Sequence, residues 1–156
     1  MTELSHTEID LQQLVNGAGD AIMVCDAAGV VTFWNAACER IFGFTAAEAL
    51  GQSMDLIIPA RQRPRHWEGY HKTMATGITK YGSDLLRVPA LHKDGHTLSI
   101  AFTVSMLFNA EHKVGSIVAI VRDESKRFAE DRDLRKRLMD LEAAAKGAEG
   151  VSPKPP

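Results

Sequence analysis

The chain has 156 residues, 45% of them hydrophobic, and a formal net charge of -2. That is the length of one domain with apolar side chains enough for one core, and the charge balance excludes a strongly basic nucleic-acid surface. No apolar run approaches the roughly 20 residues that cross a bilayer, and the polar start MTELSHTEIDLQQL lacks the apolar centre of a signal peptide. The expectation is a cytoplasmic protein with neither a membrane nor a nucleic-acid partner. Cys25 and Cys38 form no CxxC and read as buried, reduced thiols.

Thr7–Val15 is predicted to be a short helix, with Ile9, Leu11, Leu14 and Val15 as a weak apolar stripe and Asn16-Gly17 as its end. It is too short to be stable alone and must dock. Ala21–Cys25 and Val30–Trp34 are short runs rich in Val, Ile and Phe, so they read as paired strands. Asp26 and Gly29 between them suit a type I turn. Val31 and Phe33 are expected on one strand face. Asn35 is placed to cap the next helix, which carries Ala37, Ile41 and Phe42 inward.

Thr45 and Glu48 make a capping box, and Gly51 ends that short helix. Met54–Ile58 is an apolar turn closed by Pro59. Pro64 fits the first turn of a longer helix that stops at Gly77. On it His66, Tyr70, Thr73 and Met74 share a face, with Trp67 and His71 on the neighbouring stripe.

Three strands follow. Asp84–Leu91 contains Pro89, which cannot donate to a ladder, so an edge position is predicted. Asp94-Gly95 signals a hairpin turn. Thr97–Met106 alternates, with Leu98, Ile100, Phe102, Val104 and Met106 on the core side. Val114–Arg122 is almost continuously apolar and so central. Asp123–Lys146 is charged and helical, with Leu134, Leu138, Leu141 and Ala145 as a heptad-like seam. Residues 147–156 are rich in Gly and Pro and read as a disordered tail. The organisation is therefore an N-terminal helix over 1–17, a domain over 18–124, a C-terminal helix over 125–146 and a tail. The class is α+β, with a five-stranded antiparallel sheet and helices on one face.

The order and spacing of Asp26-Ala27-Ala28-Gly29, Trp34-Asn35, Ile41-Phe42-Gly43-Phe44, Glu48-Ala49-Leu50-Gly51, His92-Lys93-Asp94-Gly95 and Arg122-Asp123 resemble the PAS domain family. The resemblance spans about Leu11 to Phe128. Where PAS domains carry Asp-Ile-Thr the chain reads Asp123-Glu124-Ser125, and Ser125 is expected to cap the last helix. The resemblance implies a sensory or interaction module, not an enzyme. It also implies a pocket between helices and sheet that holds haem, flavin or a small metabolite, and flanking helices that dimerise.

His66 is the sharpest site candidate. Arg63-Pro64-Arg65-His66, with Thr76-Gly77 further on, is similar to the proximal-histidine helix of haem-PAS oxygen sensors, which implies His66 as an axial ligand of haem b. Those sensors place an arginine in the distal strand. Leu86 stands at that position here, and Arg87 is one residue off, which reverses the face. The reading without metal is a partly buried histidine beside Tyr70. The candidate pocket is His66, Tyr70, Met74, Leu86 and Phe102. The light-sensing subfamily needs an Asn-Cys-Arg motif that is absent, which disfavours flavin. His92 and His96 flank a turn and read as a solvated pair. No GxSxG, P-loop or HExxH is present.

The reading with a ligand is a sensor that binds a small molecule or a redox or gas signal between the His66 helix and the sheet. Because the remaining residues hold no output domain, it would report in trans, as a homodimer and to a separate effector such as a histidine kinase or a transcription regulator. Two alternatives stand beside it: a ligand-free interaction adaptor, and the haem-based gas sensor.

Overall fold

Short β-branched runs and tight turns build a five-stranded sheet: β1 (Ala21–Asp26), β2 (Val31–Trp34), β3 (Leu86–Leu91), β4 (Thr97–Phe108) and β5 (Val114–Asp123). Its order is β2-β1-β5-β4-β3, and every pair is antiparallel. The structure is a computed structural model that describes residues 8–79 and 83–150. Pro89 lies on β3, at the edge, and the apolar β5 is the central strand, as the sequence predicts. Five α-helices accompany the sheet: α1 (Leu11–Gly17), α2 (Ala36–Phe42), α3 (Ala46–Ala49), α4 (Arg63–Thr76) and α5 (Ser125–Glu149), with 3-10 turns at Met54–Ile57 and Ala60–Gln62. The core lies on one side of the sheet. There Met23, Cys25, Leu98, Ile100, Ile117 and Val121 are buried in one cluster with Ala37, Cys38 and Phe42 of α2 and Tyr70 of α4.

Asn35 holds the start of this core together. It is fully buried. Its Oδ1 accepts from Cys38 N at 3.0 Å, which caps α2, and from Ile22 N at 2.9 Å, which pins β1. Its Nδ2 donates to Val15 O at 2.9 Å and Asp20 O at 3.2 Å, which fastens α1. The predicted cap thus serves three elements. The Thr45–Glu48 capping box forms as expected.

Four local expectations are corrected. The first helix starts at Leu11, because the Asp10 carboxylate takes the Gln12 and Gln13 amides and so ends the helix there; Thr7 lies outside the described residues. Val31 and Phe33 do not share a face. A bulge sets Cys25 opposite Val31 and Val24 opposite Phe33, so Val31 joins the core and Phe33 turns to the other side. Ser125 does not cap α5: Glu124 holds the cap position, without a side-chain capping hydrogen bond. Finally, α5 runs on to Glu149, so residues 147–149 are helical rather than tail, while 151–156 lie outside the described residues.

Residues to Asp123 form one compact unit and the remainder another. Within the second unit, α5 leaves Leu134, Leu138 and Leu141 each more than half exposed. Among the described residues no helix is long and apolar enough to cross a membrane.

Candidate functional site

Helix α4 begins with Pro64 in its first turn, where the missing N–H is harmless. Three side chains seat it. Arg63 donates from Nε to Ile58 O at 3.0 Å and from Nη2 to Asp55 O at 3.1 Å. Trp67 Nε1 donates to Asp55 Oδ1 at 2.8 Å, and its six-membered ring covers Gly29. Tyr70, buried, donates its hydroxyl to Asp26 O. The helix is thereby locked over the β1–β2 turn.

His66 sits inside this frame. Its ring packs edge-on to Trp67, with centroids 4.8 Å apart, and lies 5.8 Å from Tyr70. Its Nδ1 is closed off from solvent and has no hydrogen-bond partner among the described residues. Burial pushes the imidazole below the usual histidine range, and His71 adds to this, while Asp55 opposes it. The result is a half-buried, neutral imidazole with one unused nitrogen. Because the protein encloses that nitrogen, a ligand or metal could bond to it only after the ring or its neighbours move.

The other candidates are only partly gathered. Tyr70 touches His66, and Met74, one turn further on, packs against the core together with Phe102. Met74 also lines an open cleft formed by residues 74–77 and 112–114. Leu86 pairs with Phe102 across β3 and β4 but stays half-buried at the sheet edge, outside the core cluster. Arg87 pairs with Ala101, one residue out of phase with Leu86, and so lies on the opposite face. Asp55, Asp26 and Gly29 are the site residues that sequence reasoning missed. Asp26 and Gly29 gave a local signal, as turn residues, and Asp55 gave none; the Asp55–Trp67 and Asp26–Tyr70 bonds join residues 12 and 44 apart.

The two thiols are buried beneath the sheet. Burial pushes both Cys25 and Cys38 up to about 12. They are inert at neutral pH.

A pH dependence follows from His66. Its native-state pKa is lowered, so between that value and the ordinary 6.5 the unfolded chain binds the proton and the folded chain does not. Its contribution to stability is complete above 6.5 and is lost as pH falls below it. Between pH 7.5 and 5 the urea midpoint of wild type is expected to fall relative to that of His66→Phe as the wild type loses this share. Parallel curves would contradict it.

Comparison with known proteins now decides the family. A family model described as PAS fold matches residues 9–123. The chain belongs to the PAS family. An uncharacterized protein of Azorhizobium caulinodans is 34% identical over 139 residues, covering 86% of this chain and 18% of that protein. The oxygen sensor protein DosP of Escherichia coli is 29% identical over 112 residues, covering 72% of this chain and 14% of DosP. The chain therefore spans less than a fifth of these relatives. In three dimensions it resembles the PAS domain of a Colwellia psychrerythraea protein, with a TM-score of 0.64 and 22% identity, covering 73% of this chain and 93% of that one. The fold is thus the PAS fold, and the chain is a PAS sensory domain.

Proposed function

We propose that this PAS domain takes a small ligand at His66 and relays its occupancy to an effector. The observation that supports this is the closed-off Nδ1 of His66, which has no partner among the described residues. Leaving a polar group so placed costs on the order of 1–3 kcal/mol, and a ligand that bonds to it recovers that loss. A ligand acts on the relay only so far as it binds the two states of the domain unequally. The domain is read as a cytoplasmic binding module rather than an enzyme, in a homodimer or beside an effector such as a histidine kinase or a transcription regulator.

The proposed relay runs through pairing of the terminal helices. Leu134, Leu138 and Leu141 on α5, and Leu11 and Leu14 on α1, are exposed apolar side chains at helical spacing. Such a seam is short and pairs with its copy only with help from other contacts. Wild type is expected to sediment as a dimer at micromolar concentration and Leu138→Asp as a monomer. A monomeric wild type sinks the relay by dimerisation and leaves the effector route.

A second reading, a haem-based gas sensor, is favoured by the likeness to a protein named as an oxygen sensor. The residues present fit an axial ligand: burial keeps the His66 ring neutral, as metal ligation requires, and one ring nitrogen is unused. Bound there, haem would supply an iron that takes a diatomic gas. On this reading His66 would hold the iron, with Tyr70 and Trp67 fixing its ring, and Leu86 rather than Arg87 would stand at the strand position where haem-PAS sensors carry an arginine. The test is the visible spectrum of the full chain expressed with ample haem. A Soret band that His66→Ala loses, with circular dichroism unchanged, supports this reading. No band and no haem titration removes it. The metabolite sensor then remains, or the ligand-free adaptor if no small molecule shifts the melting temperature of wild type more than that of His66→Ala.

A further inference from the structure

The turn between β3 and β4 carries a second cluster of chemistry-bearing side chains, on a different element from His66. Asp94 and Gly95 reverse the chain, with Gly95 at φ 94 and bonds from His92 N to His96 O and from Gly95 N to His92 O, both 2.9 Å. The reversal brings two imidazoles four residues apart into a stack, with centroids 4.5 Å apart and planes 25° apart. Between them Asp94 Oδ1 lies 3.1 Å from His92 Nδ1 and in contact with His96 Nδ1. One donor atom from each of the three residues lies within 4.8 Å of the other two.

We propose that His92, Asp94 and His96 form a binding site for a divalent transition-metal ion of the zinc class. Two imidazoles and a carboxylate suit zinc, nickel or copper rather than magnesium or calcium, which take oxygen ligands. Donors placed tetrahedrally about 2.0–2.1 Å from an ion stand roughly 3.3 Å apart. His92 Nδ1 and Asp94 Oδ1 are 3.1 Å apart, while Asp94 Oδ1 is in closer contact with His96 Nδ1 and His92 Nδ1 accepts from Asp94 N at 3.2 Å, so seating an ion requires the stacked rings to turn and the amide bond to His92 to give way. The ion would replace the proton that His96 Nδ1 now shares with Asp94, and that proton leaves to solvent.

The site is built into the fold rather than hung from a loose loop. The Cε1–Nε2 edge of the His92 ring meets the end of α2, where Gly43 at φ 80 closes the helix. A Cβ at Gly43 would fall 2.6 Å from His92 Cε1 and 2.7 Å from Nε2. Nε2 therefore meets the helix end while Nδ1 looks into the turn. The adjoining Lys93 is fastened twice, by its N–H to Phe42 O at 2.8 Å and by its Nζ to Glu48 Oε1 at 2.5 Å. The Asp94 carboxylate is fixed in the turn by the His96 amide, which donates to its Oδ1 at 3.0 Å. Asp94 and His96 are exposed, which leaves the remaining coordination positions to water or to a partner's ligand. An ion there would tie the β3–β4 turn together at the point where it is anchored to α2.

The experiment is a calorimetric titration of the tag-free full chain with zinc alone. The expected result is one ion per chain, with affinity lowered at least about tenfold in His96→Ala and in Asp94→Asn and unchanged in His112→Ala. Asp94→Asn keeps an oxygen for the turn amide, so the turn survives. In wild type, the ring nitrogen resonances of His92 and His96 should move with zinc while those of His66, His71 and His112 stay. No uptake at sub-millimolar zinc, uptake that both turn variants leave intact, or movement of the other histidines instead would overturn the assignment.

Discussion

Replacing Asn35 with alanine is expected to cost the domain about 3–5 kcal/mol, a large share of the 5–15 typical of a small domain. The cap on α2 accounts for about 1 kcal/mol of this. The rest comes from the Ile22 amide and the Val15 and Asp20 carbonyls, part-buried groups that the fully buried carboxamide satisfies. Each buried group left unpaired costs about 1–3 kcal/mol, reduced where relaxation admits water. Urea unfolding should show a lower midpoint at an unchanged slope. A loss below about 1 kcal/mol would mean that the carboxamide is only a helix cap.

Gly29→Ala is expected to be almost as damaging, at about 2–4 kcal/mol, because a positive φ and an overpacked contact act together. Gly29 sits at φ 80, and a Cβ there would lie 2.2 Å from two atoms of the Trp67 ring. The indole must leave, breaking its bond to Asp55 and uncovering the side of His66 that it now packs against. The variant should therefore show a red-shifted tryptophan emission as well as a lower urea midpoint. An unchanged emission with full stability would show that Trp67 does not rest on the turn.

These two positions also mark what could be read from the sequence. Features set by neighbouring residues were legible: the Asp26–Gly29 turn, the Thr45–Glu48 box, the alternation along β4 and the proline that consigns β3 to the edge. Asn35 was legible as a cap because its partner amide lies three residues on, but its bonds to Val15 and Asp20 span 20 and 15 residues. Phe33 was misplaced because a bulge adds one residue and turns a period of two inside out. At the site, His66 and Tyr70 could be paired from helical spacing. The Asp55 carboxylate that orients Trp67, and the lack of any partner for His66 Nδ1, exist only once distant segments meet. Leu86 shows the opposite failure: its phase on the strand was right, yet an edge position keeps it out of the core.

The central claim is that His66 offers a neutral, unpaired imidazole to a ligand from within the domain. Its most direct test is a nuclear magnetic resonance titration of the His66 ring in the full chain, followed by pH with and without haem or a candidate metabolite. The account predicts a midpoint below 6.5 in the free protein, in line with burial, and ring nitrogen resonances that move when the ligand is added. A ring that titrates at or above 6.5 and is unaffected by every ligand that stabilises the domain would contradict it.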